Sequence, residues 1–231
     1  TIELLNKGID KLKTKKIRTS QIDSEILLSK ILNKTREKML TSLEKSVNDK
    51  NILEFDRLIL RRLEKEPVAH ILKEKEFWSK NFEINKSTLI PRPETELMVD
   101  RLVKIYKNKK ISIIDIGTGS GCIPISLARR LSALECVGWD VCSNALSVAQ
   151  ENVRIHFSDS EVPRVHLIQR DALDVVAWEG PAQFDFIVSN PPYLTEVEMQ
   201  TAEPEVINHE PHSALASGQE GLDDLGLLFK S

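Results

Sequence analysis

Cysteine is scarce in this chain of 231 residues: Cys122, Cys136 and Cys142 are odd in number and form no Cys-x-x-Cys pair. Neither a disulfide framework nor a zinc site is signalled, and the three read as small core residues. No apolar run approaches the roughly 20 residues of a membrane span, so no membrane partner is expected. The amino terminus, TIELLNKGIDKLKTKK, lacks the uninterrupted apolar stretch and small-residue cleavage site of a secretory signal. A cytoplasmic address is expected by default. The histidines at 70, 156, 166, 209 and 212 show no metal-ligand spacing and read as surface or packing residues, so no metal is expected. Lysine is nearly missing from the second half, where only Lys230 follows Lys110.

That absence exposes a charge asymmetry. Residues 1–110 hold 26 Lys+Arg against 17 Asp+Glu, whereas residues 111–231 hold 6 against 18, so the net charge of −3 conceals a basic and an acidic half. A basic binding surface joined to an acidic catalytic unit would look like this. So would a solvated lysine-rich face on a helical domain, because the lysines are scattered among glutamates. The hydrophobic fraction of 41% and charged fraction of 29% are those of a globular chain, long enough for two modest domains.

Ile2, Leu5, Ile9 and Leu12 recur at helical spacing, as do Ile22, Ile26, Leu27 and Ile31 after the cap candidate Ser20. Leu40, Leu43 and Val47 suggest another helix. A further one, through Ile52, Leu58 and Leu63, begins after Asn48 and ends before Pro67. Residues 1–72 thus resemble a small helical bundle. The period then changes. Glu76-Phe77-Trp78 and Phe82-Glu83-Ile84 flank Ser79-Lys80-Asn81 as a hairpin, which makes 73–92 a linker between domains. Helical spacing resumes from Glu94 to Tyr106.

From Ile111 the order becomes strand, glycine turn, helix, strand, the mark of a parallel α/β sheet over 93–231. Strands are expected at 111–116, 136–140, 165–169 and 184–189, with helices at 123–132 and 145–156. Right-handed crossovers would bring the carboxyl ends of all four strands to one edge, where open α/β sheets bind ligands.

The run Asp115-Ile116-Gly117-Thr118-Gly119-Ser120-Gly121 leaves the first of these strands and opens a helix, and its glycines allow a tight turn close to a ligand. The glycines stand at 117, 119 and 121, and Cys122 occupies the place a dinucleotide fingerprint needs for glycine. The spacing instead resembles the first motif of class I S-adenosylmethionine-dependent methyltransferases, with a Rossmann-like sheet. That resemblance implies a loop, Gly117 to Gly121, wrapping the methionine part of the cofactor. It also implies that Asp140, ending the second strand, accepts from the ribose hydroxyls, and that Asp171 and Ala172 sit by the adenine. The alternative for Asp140 is a cap on the helix after it, and for Asp171 an ordinary turn acid.

Ser189-Asn190-Pro191-Pro192-Tyr193 follows the fourth strand. An amide nitrogen is a poor nucleophile, so methyl transfer to it needs the NH2 aligned and its hydrogens held by acceptors. The Asn190 side-chain oxygen and the Pro191 carbonyl offer two, undisturbed by any backbone donor at Pro192. Tyr193 would lay a flat face against a planar substrate group. The plainer reading is two prolines ending a strand, with Tyr193 in the core.

Three flanking segments sharpen the picture: Glu66-Pro67-Val68-Ala69-His70-Ile71 with Glu76-Phe77-Trp78; Leu89-Ile90-Pro91-Arg92-Pro93-Glu94-Thr95-Glu96; and Glu210-Pro211 with Ala214-Leu215 and Gly218 to Asp223. Together they resemble the peptide chain release factor N5-glutamine methyltransferase family from about residue 20 onward. The resemblance implies methylation of the glutamine in the Gly-Gly-Gln loop of release factors, docked by the helical domain, without direct nucleic acid binding. It implies that Arg92 holds the cofactor carboxylate or fixes the interdomain segment; a salt bridge with Glu94 or Glu96 is the alternative. This chain departs from the family at Lys73, where glycine is usual, at Cys142, where serine is common, and at Ala172, where some members carry an aromatic group. It stops at Ser231, short of where a family member would end, which implies a fragment lacking a fifth strand and a closing antiparallel pair, its sheet edge uncovered. Two rival readings are an exocyclic amine methyltransferase of nucleic acid, disfavoured by the acidic second half, and a release-factor-binding fragment without turnover.

Overall fold

The computed structural model describes residues 1–131, 134–158, 164–174 and 184–229. The chain divides into two compact units, Thr1–Leu72 and Lys73–Ser231.

Five helices build the first unit: α1 (Ile2–Thr14), α2 (Ser20–Ile31), α3 (Arg36–Leu40), α4 (Asp49–Leu63) and α5 (Val68–Leu72). The apolar faces of α1 and α4 converge with α2 on a core that includes Leu12, Leu27, Leu28, Met39, Phe55 and Ile59, all fully buried. Asn48 caps α4, its side-chain oxygen accepting from the Asn51 amide at 2.8 Å. Arg62 on the inner face of α4 is buried, and Asp23 of α2 meets its Nε at 2.8 Å. A buried charge is tolerable only with such a partner.

Two expectations fail here. Thr19, not Ser20, holds the N-cap position of α2, and Ser20 is a buried first residue of the helix. Leu43 and Val47 lie outside α3, which ends at Leu40. The carbonyls of Leu43 and Lys45 instead accept from the amide of Ile2 and the terminal amino group of Thr1, at 3.1 and 2.8 Å. They satisfy donors that the first turn of α1 leaves open and are lost to a helix of their own.

The second unit begins with a hairpin, β1 (Glu74–Phe77) and β2 (Lys80–Glu83), paired antiparallel with Phe77 opposite Lys80. Trp78 belongs to the turn and not to a strand: Trp78 and Ser79 have φ of 49° and 60°, as a two-residue turn matched to strand twist requires. Phe77 and Phe82 are buried in the core of this unit. Lys73, just before β1, also has a left-handed φ, 59°, a conformation that favours glycine.

Next come α6 (Pro93–Tyr106), β3 (Ile111–Ile116), α7 (Cys122–Arg130), β4 (Leu134–Asp140), α8 (Ser143–His156), β5 (Val165–Gln169) and β6 (Phe186–Ser189). The four strands form one sheet of order β5-β4-β3-β6, every neighbouring pair parallel. The strand period of two splits the core: Ile111 and Ile113 face one layer with Val99, Ile125 and Leu127, while Ile114 and Ile116 face the other with Trp139 and Ala172. β6 is an edge strand in this sheet, and its Ile187 is exposed. Beyond it lie α9 (Glu196–Thr201), α10 (Pro204–His209), a 3-10 turn at His212–Ala214 and α11 (Asp223–Leu228). No helix among the described residues is long and apolar enough to cross a membrane.

Candidate functional site

At the carboxyl end of β3 the chain turns through Gly117 to Gly121 into α7. The amides of Gly117 and Thr118 both donate to the Trp139 carbonyl on β4, at 2.9 Å each, so the turn is fastened to the neighbouring strand. Gly117 has φ +71°, and a Cβ added there would meet nothing within 4 Å. The conformation demands glycine, and the space beside it is open. From below, Asn152 on α8, fully buried, donates from Nδ2 to the carbonyls of Ser120 and Glu83 and accepts from the Glu83 amide. One side chain thus ties the loop to the hairpin.

A cavity of about 670 Å³ opens above this edge, within the usual range of small-molecule sites. Gly117, Thr118, Gly119 and Ser120 line it from the loop. Asp140, Asp171 and Ala172 line it from the ends of β4 and β5, and Asn190, Pro191 and Pro192 from the end of β6. Gly121 and Tyr193 do not reach it. The left-handed Gly121 lies against Ala149 of α8, where a Cβ would stand 3.2 Å from that of Ala149, so its demand is for helix packing. Tyr193 is held by backbone bonds from its amide and that of Leu194 to the Leu215 carbonyl, at 3.0 and 2.8 Å. Its side chain is left in solvent, 62% exposed, neither in the core nor against the cavity.

Asp140 accepts from the Gly119 amide at 2.8 Å through Oδ2 and from the Cys142 amide at 2.9 Å through Oδ1. It fastens the loop and lines the cavity, whereas the N-cap position of α8 falls to Cys142. Asp171 accepts from the Leu173 amide at 2.9 Å, the bond of a turn acid, and lines the cavity as well. Ala172 is buried beside Trp139. Asn190 makes no side-chain hydrogen bond among the described residues, so its amide is available at the cavity wall.

Arg92 pairs with neither Glu94 nor Glu96. Its guanidinium donates to Glu210 at 2.7 Å, and the other Glu210 oxygen accepts from the Ile90 amide at 3.0 Å. The Glu210 side chain is 1% exposed. A carboxylate after α10 therefore clamps the 89–93 segment, of which Leu89, Pro91 and Arg92 line the cavity.

Glu210, Asn152 and Asp115 carry roles that sequence reasoning left unassigned. Asn152 interrupts an apolar stripe of α8 formed with Ala145, Ala149 and Val153, and Asp115 interrupts the apolar strand β3. A polar residue on a buried face is the signal that could have found them. Asp115 is 1% exposed and neither carboxyl oxygen has a hydrogen-bond partner. Burial, added to by the charge of Asp140 and opposed by the Thr118 hydroxyl, pushes its pKa up to about 7. Burial likewise pushes the Cys122 thiol up to about 12, so this cavity-lining residue stays a thiol and is no nucleophile at neutral pH. Among the described residues no group of three or more His, Cys, Asp or Glu could hold a metal ion.

Comparison with known proteins falls on the same two parts of the chain. The family described as PrmC N-terminal domain matches residues 3–72, and that described as Methyltransferase small domain matches residues 93–220. A release factor glutamine methyltransferase of Shewanella oneidensis is 34% identical over 213 residues, covering 92% of this chain and 72% of that protein. A bifunctional methyltransferase of Rickettsia felis is 35% identical over 258 residues, covering 99% of this chain and 48% of the relative. The chain thus spans about half the length of the bifunctional relatives it matches. Among solved structures, the hMettl16 catalytic domain in complex with MAT2A 3'UTR hairpin 1 superposes with a TM-score of 0.52 at 19% identity, covering 79% of this chain and 62% of that one. At that identity the likeness concerns the fold alone.

Proposed function

The chain belongs to the release factor glutamine methyltransferase family, and from that premise we propose that it methylates the side-chain N5 of the glutamine in the Gly-Gly-Gln motif of peptide chain release factors, with S-adenosylmethionine as donor. The observation that carries this reading is the unpartnered Asn190 amide, set at the end of β6 on the cavity that Gly117 and Asp140 also line.

The residues fit the cofactor chemically. Gly117 and Gly119 bare their backbone to open space, Asp140 brings a carboxylate for a pair of hydroxyls, and Ala172 and Trp139 give an apolar wall. S-adenosylmethionine bound there supplies an activated methyl group and its own leaving group. What the protein adds is orientation. The Asn190 oxygen and the Pro191 carbonyl hold the two hydrogens of the substrate amide, and Pro192 offers no competing N–H. The Arg92–Glu210 clamp keeps the 89–93 wall in place. The helical unit would dock the factor through its surplus of basic residues.

The test is transfer of labelled methyl to a release factor, to its Gln→Glu variant in the Gly-Gly-Gln motif, and to DNA. Label on the unaltered factor alone supports the reading; label on DNA, or none on any protein, defeats it.

A further inference from the structure

A second cavity, of about 380 Å³, lies between the hairpin turn and the ends of α7 and α8 remote from the glycine loop. Its wall brings together Trp78 and Lys80 from the hairpin, Ser126, Arg129 and Arg130 from α7, and His156 from α8. No carboxylate lines it among the described residues, and neither Lys80 nor Arg130 has an ion-pair partner there. Ser126 is 1% exposed, yet its hydroxyl has no hydrogen-bond partner. A buried helical serine ordinarily returns its proton to a carbonyl one turn back. An unmet buried donor in the wall of a cationic cavity is therefore a group that a ligand displacing its neighbours could satisfy. The Trp78 Nε1 is already taken by Asp100 at 2.7 Å, so the indole has only its apolar surface to offer. His156 feels the same cations, though its own burial acts on it more. Burial lowers its pKa first, and Lys80 and Arg129 lower it further against the Asn81 carbonyl that opposes them.

We propose that this cavity binds a phosphate monoester bearing a planar group, of nucleotide size, with Arg130 and Lys80 on the phosphate oxygens, Ser126 donating to one of them, and Trp78 against the ring. Oxyanions of this class suit a guanidinium fork backed by a neutral donor, and the volume suits a small ligand. The site is separate from the methyl-transfer cavity and does not depend on that activity. Free nucleotide and the 5′ end of an RNA present the same chemistry.

The experiment follows the indole N–H signal of Trp78 by NMR in the whole chain, with S-adenosylhomocysteine added to fill the other cavity. Four ligands are compared: uridine monophosphate, uridine, inorganic phosphate, and a 5′-phosphorylated triuridylate. Saturable movement with the monophosphate, competition by phosphate and no response to uridine are expected. Arg130→Ala or Lys80→Ala should weaken binding by roughly tenfold, about one charge-assisted contact. Ser126→Ala should also weaken it while leaving the melting temperature equal or higher, since it removes an unmet buried donor. Tighter binding of the triuridylate than of the monophosphate assigns the site to RNA ends, and weaker binding assigns it to free nucleotide. A signal that drifts linearly with added monophosphate, or an affinity that all three variants leave unchanged, overturns the proposal.

Discussion

Glu210 holds Arg92 at 2.7 Å across 118 residues of sequence, and it does so with a carboxylate that is 1% exposed while the guanidinium is about a third exposed. The pair closes one wall of the cavity from a segment remote in sequence from the glycine loop. Because Glu210 also takes the Ile90 amide, it fixes backbone as well as side chain.

Removing that acceptor strands two donors. Glu210→Ala should cost about 2 to 4 kcal/mol, the lower part of the range because Arg92 can turn to water. Cofactor affinity should fall with it, since the 89–93 wall is released. Glu210→Gln keeps one oxygen for Ile90 and should lose less. Urea titration combined with cofactor titration checks the ordering, and equal stability of all three proteins would discard the clamp.

Asn190→Ala should abolish methyl transfer while leaving much of the cofactor affinity. The side chain is free of protein partners, so its loss costs the fold little, and its oxygen is assigned to the substrate amide. Single-turnover rates beside equilibrium cofactor binding separate the two effects. Parallel loss of both would contradict the role.

Asp115 makes stability depend on pH in a definite direction. The folded state keeps this carboxyl protonated up to about 7, whereas the unfolded chain loses the proton near 3.8. Between those values the native state binds more protons, so stability falls as pH rises, by about 4 kcal/mol in all. Asp115→Asn should remove that part of the slope. Melting curves from pH 5 to 8 on both proteins decide it; superimposable slopes would show that the buried acid is not the source.

Lys73 tests the backbone. Its left-handed φ of 59° costs a residue with a Cβ roughly 1 kcal/mol, against a similar gain in unfolded-state entropy for glycine. Lys73→Gly should therefore be neutral or stabilising by up to about 1 kcal/mol, whereas the β-branched Lys73→Val should destabilise by more than about 1 kcal/mol. Thermal denaturation distinguishes them, and a stable valine variant would argue that the turn relaxes.

Much of the second unit was legible because its strands are short apolar runs that alternate with turn signals and helical spacing. The strands at 111–116 and 165–169 match expectation, and helix Ser143–His156 begins two residues earlier than expected. The errors share a cause. Ser20, Leu43 and Trp78 were assigned from local preference, whereas burial put Ser20 inside its helix, the first turn of α1 took the Leu43 carbonyl, and the two-residue turn claimed Trp78. Helices α9 to α11 are six residues each, too short for a period to declare itself. Of the candidate site, the loop, Asp140 and Asn190 could be found because glycine spacing and strand ends are local features. Tyr193 could not be placed, because the Leu215 carbonyl that turns it outward is not adjacent in sequence.

The sequence by itself determined the alternation of strand and helix, the left-handed glycines of the loop and the polar residues at each strand end, since these follow from steric limits and periodicity acting over a few residues. Only the tertiary structure decided that Glu210 would answer Arg92, that Asn152 would hold Ser120, and that Ser126 would lie in the wall of a cationic cavity. Such pairings depend on which burials and charges meet once distant segments pack, and no local preference encodes them.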